Sequence, residues 1–207
     1  MPTAAMEDQY GIALRIFGAE ASADLPLPPI SDGFRVDRDA DVSGRLLYIA
    51  LTDQSPETVD AALAQVATHP GIPAIVVAVG EKLVPDLKQY AKALSGMILC
   101  PAADHLLAPL SHLVSVTGLI GLDITDTLSL LRGRIGSFWE GRSDQVSAAA
   151  KARGAPAISF AFSPRIPSLP ALEAVVASID PQPDNFTVHL NTSLTDPDQV
   201  QMLLMED

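Results

Sequence analysis

Cysteine is almost missing from this chain. Cys100 is the only one, so no internal disulfide can brace the fold. Aromatic residues make up only 5%, and a core must therefore be built from Ala, Leu, Val and Ile. Basic residues are scarce too: 13 Lys and Arg stand against 25 Asp and Glu, for a net charge of -12. Nucleic acids and anionic membranes need a basic surface, so neither is expected as a partner. No apolar run reaches the length of a membrane span, because Pro, Asp, Lys and Arg interrupt each one. The opening MPTAAMEDQY lacks the basic start and apolar centre of a signal peptide, which makes the cytoplasm the expected compartment. His69, His105, His112 and His189 show no metal-ligand spacing, and Pro109 interrupts the one helical pairing, His105 with His112. There is no Gly-x-Ser-x-Gly elbow, no P-loop and no dinucleotide fingerprint. Neither a metal nor a cofactor is expected.

What remains is enough for a full core. The chain has 207 residues, 48% of them hydrophobic and 18% charged. That suffices for one large domain or two small ones. The first ten residues read as a disordered tail, Ile12–Phe17 as a strand and Gly18–Ser43 as a long Pro-rich connection. Unbroken apolar runs at Leu46–Leu51 and Ile72–Val79 predict strands buried on both faces. Val59, Ala62, Leu63 and Val66 recur at helical spacing within Glu57–Thr68. An amphipathic helix over Lys82–Leu94 and a short strand at Met97–Cys100 follow. Strands alternating with helices imply parallel pairing through right-handed crossovers. Cys100 reads as a small buried hydrophobe in that last strand.

The segment GLIGLDITDTLSLL, Gly118–Leu131, carries the strongest functional signal. An apolar run ends in Gly121, and Asp123 and Asp126 then open a helix. At i and i+3 both carboxylates share one face of its first turn, where the helix dipole favours negative charge. As chemistry, this is a capped helix start or an acidic pair offered to a partner. The helix is expected to run from Thr125 to Glu140, closed by Phe138 and Trp139, with Arg132, Arg134 and Arg142 as a solvated face or as ion-pairing groups for a partner. A second helix is expected from Ser143 to Ala152. Strands near Ala157, Phe186 and Val200 complete the chain, the last two joined by the turn TSLTDPD.

Gly118–Leu131 resembles the synergy loop of the FtsZ/tubulin family and the helix that follows it. The resemblance extends over about Arg45–Asp207: KLVPDLKQYAKALSGMILCPAADHLL before the loop, GAPAISFAFSPRIPSLPALEAVVASI and NFTVHLNTSLTDPDQVQMLLMED after it. It implies an α/β fold: a parallel sheet with helices over residues 1–117, then the synergy loop and a small α+β part over residues 118–207. In that family the loop's acidic residues enter the nucleotide site of the next subunit and promote GTP hydrolysis. Asp123 and Asp126 would then be catalytic in trans only, and Gly121, Asp123, Asp126 and Arg132 would bind the partner. Gly121 stands where the family usually has Asn.

The chain departs from the family where GTP would sit. After the first strand comes AEASADLPLPPISDG, and after RLLYIAL comes TDQSPETVDAAL, where the family has GGGTGTG. Glycine lets backbone N–H groups approach phosphates, and these segments lack it. Ser55 and Pro56 read as a helix cap and first helical position. The central helix is cut short between Asp104 and Thr117. The expectation is a protein that has lost GTP binding and acts as a partner or regulator in filament assembly or cell division, with FtsZ or itself as partner. The alternatives are a residual or composite GTPase and a small-ligand-binding α/β domain.

Overall fold

A computed structural model describes residues 11–18, 35–39, 41–83, 85–102, 106, 124–152, 158–163, 168, 170, 173, 177, 185–190 and 194–206. The disordered tail expected at the N-terminus, the shortened central helix and the loop bearing Gly121 and Asp123 lie outside the described residues, save for Leu106. The described elements are β1 (Gly11–Phe17), β2 (Arg35–Arg38), β3 (Leu47–Thr52), α1 (Pro56–Ala67), β4 (Ala74–Val79), α2 (Pro85–Lys88), β5 (Gly96–Cys100), α3 (Ile124–Leu131), β6 (Ile135–Arg142), α4 (Val146–Ala152), β7 (Ile158–Ser163), β8 (Asn185–Leu190) and β9 (Gln199–Glu206). The fold is α/β, with a mixed and mostly parallel sheet.

All nine described strands join in one sheet, in the order β2-β1-β3-β4-β5-β6-β9-β7-β8. From β2 to β6 every pairing is parallel. β9 runs antiparallel to both of its neighbours, β6 and β7, and β7 pairs in parallel with β8. The centre of the sheet is apolar on both faces because helices cover both. In β3 all six residues are buried. Leu47, Ile49 and Leu51 point to one side, with Ile75, Val77 and Ile98 of the next strands and Leu131 of α3. Tyr48 and Ala50 point to the other, under Val59 and Ala62 of α1 and Leu87 of α2. Each large aliphatic side chain fully buried here contributes about 1.5–3 kcal/mol. A third cluster joins Val146 and Ala150 of α4 to Met202 and Leu204 of β9, with Trp139 packed against it.

The structure corrects the sequence reading at four places. The connection after β1 contains β2, an edge strand of sequence RVDR whose Asp37 forms a 2.8 Å ion pair with Arg45. The helix expected over Lys82–Leu94 is only α2 and a 3-10 turn at Ala91–Ala93. The helix expected over Thr125–Glu140 stops at Leu131, and Ile135–Arg142 is strand β6. Gly133 is the reason: its φ of +72° is a left-handed helix stop, and Arg134 turns back to donate to the Leu130 carbonyl at 2.7 Å. Finally, β8 and β9 do not form a hairpin. β9 enters between β6 and β7, and β6 is hydrogen-bonded to β5, so the C-terminal strands extend the sheet begun by β1–β5.

The strand order also locates a topological switch point. β1 lies between β2 and β3, so the order reverses between β1 and β3. In open parallel sheets ligand sites are commonly found at the carboxyl ends of the two strands that flank such a point.

Candidate functional site

The carboxyl end of β3 leads into α1 through Thr52-Asp53-Gln54-Ser55. Pro56 takes a position in the first turn of α1, as expected, and Ser55 is the N-cap residue. The Ser55 side chain makes no capping hydrogen bond. Asp53 serves the turn instead. Its Oδ1 accepts the Ser55 backbone N–H at 3.0 Å and the Thr58 hydroxyl at 2.7 Å. Thr58 has one proton to give, and a charged acceptor draws it more strongly than a neutral one. The Thr52 hydroxyl, 2.7 Å away, then donates to Thr58 and accepts the Gln54 N–H at 3.0 Å. The Thr58 hydroxyl foremost, and then the Ser55 N–H, hold the Asp53 carboxyl below its ordinary pKa of 3.8. At neutral pH the start of α1 thus carries an anion supplied by the chain itself.

Asp53 also lies close to the end of β1. Gly18, just past β1, has φ +105°, and a Cβ there would collide with the Asp53 carboxylate. Gly18 therefore permits the close approach of the two strand ends. On the other side Gln54 adopts φ +66°, an uncommon conformation for a residue with a Cβ. Its Nε2 donates to the Val79 carbonyl at 3.1 Å and to the Lys82 carbonyl at 3.0 Å. The Gln54 side chain thereby ties the end of β3 to the end of β4, while the Asp53 carboxylate packs against the end of β1.

This arrangement has little capacity for acid–base or nucleophilic work. A carboxylate of lowered pKa is a weak base, and the Thr58 proton is committed to it. Cys100, at the end of β5, is buried, and its thiol donates to the Ala102 carbonyl at 2.9 Å. Among the described residues no group of three or more His, Cys, Asp and Glu side chains is placed to hold a metal ion. No described helix is long and apolar enough to cross a membrane.

The residues singled out from the sequence lie elsewhere. Asp126 is exposed in the first turn of α3. Arg132 is exposed in the turn after α3, at the amino-terminal edge of the sheet and so at the opposite edge from Asp53. Asp123 and Gly121 lie outside the described residues. Sequence reasoning missed Asp53, Gln54 and Thr58. The available signal was an Asp two residues before a Ser-Pro helix start, directly after a buried strand. No protein-family model matches the chain, and no curated protein matches it.

Proposed function

We propose that this protein is an FtsZ/tubulin-like interaction partner that does not bind GTP and acts on filament assembly through the side that carries Asp126. The observation that carries the reading is the Asp53 carboxylate at the start of α1. That helix start follows the segment standing where the resemblance puts the glycine-rich phosphate loop. A helix start attracts phosphate because its N–H groups and its dipole favour negative charge. Here an ionised side chain already takes the Ser55 N–H, so a phosphate would meet like charge. Two unit charges 4 Å apart repel by about 4 kcal/mol at the effective dielectric of a protein surface. The same carboxylate fills the approach between Gly18 and β3.

The exposure of Asp126 favours a partner-facing role for α3. It also supports a second reading, a composite GTPase in which this carboxylate and Asp123 act on GTP held by the partner. Both readings are tested on the intact protein. Calorimetry with GTP is expected to show no saturable binding; stoichiometric micromolar binding would sink the first. Co-sedimentation with FtsZ filaments is expected to bring the protein down with the polymer, and no association would remove both readings. A raised GTP turnover in the mixture selects the composite enzyme, whereas changed polymer mass at unchanged turnover per polymer selects the regulator.

A further inference from the structure

At the amino-terminal edge of the sheet lies a cavity of about 640 Å³. It is walled by the turn between α1 and β4, the 3-10 turn before β5 and the turn after α3. Leu63 and Val66 of α1, with Ile72 and Leu94, give it an apolar floor. Its volume is that of a small-molecule site, for which about 300–1,000 Å³ is usual.

Two exposed cations, Lys92 and Arg132, border this floor. They are far apart in sequence, and Gly133 brings them together. Its N–H donates to the Leu94 carbonyl at 3.2 Å, and a Cβ at Gly133 would lie 3.9 Å from the Lys92 Cα. Among the described residues neither cation forms an ion pair. In a chain with 25 acidic residues and a net charge of -12, two exposed cations at one cavity mark a locus of opposite sign. Tyr90 adds a second mark. It is 36% exposed, the large hydrophobic side chain left in water among the described residues, and it lines the same cavity.

We propose that this cavity binds a small carboxylate with an apolar body. The Arg132 guanidinium offers a planar fork that matches a carboxylate, and Lys92 adds a point charge. The apolar body lies over Leu63, Val66 and Ile72, with Tyr90 at the edge. α1 turns its carboxyl end toward the cavity through Ala67, and that end of a helix opposes any anion, a dianion more than a monoanion. A singly charged head is therefore the one that the two cations can offset. The site shares no residue with the Asp53 turn and stands independently of how the nucleotide end is read.

The test uses octanoate as probe, with acetate and 1-octanol as controls, in calorimetry on the full chain at neutral pH. Octanoate should bind saturably at one site, about tenfold or more tighter than either control, since it alone satisfies both halves of the cavity. The K92Q/R132Q variant should weaken octanoate by about tenfold or more and leave octanol unchanged. Both side chains are exposed, so an unchanged circular dichroism spectrum and melting temperature show that the fold is intact. Absence of saturable octanoate binding in the millimolar range would overturn the proposal. So would octanol binding equal to octanoate, or equal octanoate affinity in the variant.

Discussion

The Thr58 hydroxyl donates a 2.7 Å hydrogen bond to the Asp53 carboxylate across the first turn of α1. With the Ser55 N–H, it keeps that carboxyl below its ordinary pKa of 3.8. The folded chain therefore binds this proton more weakly than the unfolded chain does. The resulting stabilisation is complete above the unfolded value of 3.8 and is lost as pH falls through the lower folded value. Asp53→Asn should lower stability by about 1 kcal/mol or less at neutral pH, since the site is near water and a helix-start anion is partly screened. As pH falls below 3.8 and through the lower folded value, the difference should shrink toward zero. Urea midpoints of both proteins, followed from neutral pH down through the acid range, check this. A loss that stays constant over the whole range would assign the effect to geometry and not to charge.

Gln54 is strained and bonded at once. Its φ of +66° costs a non-glycine residue about 1–2 kcal/mol, while its amide ties the ends of β3 and β4 through Val79 and Lys82. Gln54→Ala keeps the strain and loses both bonds, so it should destabilise by about 1–3 kcal/mol. Gln54→Gly loses the same bonds and relieves the strain, and should recover about 1 kcal/mol of that loss. Equal losses in thermal or urea unfolding would show that the backbone at this position is unstrained.

The buried strands were the legible part of this fold. β3 and β4 announce themselves as unbroken apolar runs, because a parallel strand covered on both faces has no polar side to show. β2 was illegible for the opposite reason. It is an edge strand carrying Arg35, Asp37 and Arg38, and charge is how an edge is kept from pairing further. The overlong helix came from reading Thr125–Glu140 as one period, although Gly133 and Gly136 already broke it. The turn TSLTDPD gave no notice of where β9 would pair, since turn chemistry fixes direction locally and β9 meets partners remote in sequence. At the carboxyl end of the sheet, Ser55 was legible as a helix start. That Asp53 and not Ser55 would hold that start depends on Thr58 and Gly18, one from the helix and one from a different strand.

The insertion of β9 beside β6 makes its own test. Gly136 faces Met205 in the register of these strands, and a Cβ at Gly136 would overlap the Met205 sulfur. Met205 and Leu203 beside it are fully buried, so neither can swing into water. Gly136→Ala should destabilise by about 1–3 kcal/mol through overpacking. Met205→Ala alone opens a cavity and should cost about 2–5 kcal/mol. Combined, the new methyl enters the space vacated by the sulfur, and the double variant should be more stable than the sum of the two losses predicts. Strict additivity in chemical unfolding would argue that the two residues do not face each other.

Asp126 separates a helix cap from a partner-facing carboxylate. It lies exposed in the first turn of α3, where the dipole of a surface helix rewards an acid by about 0.3–1 kcal/mol. Asp126→Asn changes the charge of an exposed side chain and should leave the fold intact, at a cost of about 1 kcal/mol. If its role ends there, the variant will act on FtsZ as the wild type does. Under the proposed function it will not, because an exposed carboxylate meeting a partner's charged surface contributes to specificity and to encounter rate far more than to its own fold. The measurement is FtsZ polymer mass and GTP turnover alone, with wild type, with Asp126→Asn and with the Asp123/Asp126 double Asn variant. The expected outcome is an effect of the wild type that weakens in the single variant and disappears in the double. Raising the salt concentration should weaken the wild-type effect as well, since exposed charge pairs are screened beyond about 8–10 Å. Identical behaviour in all four mixtures would leave the acidic pair a structural role at the start of α3 and would remove the filament-directed function.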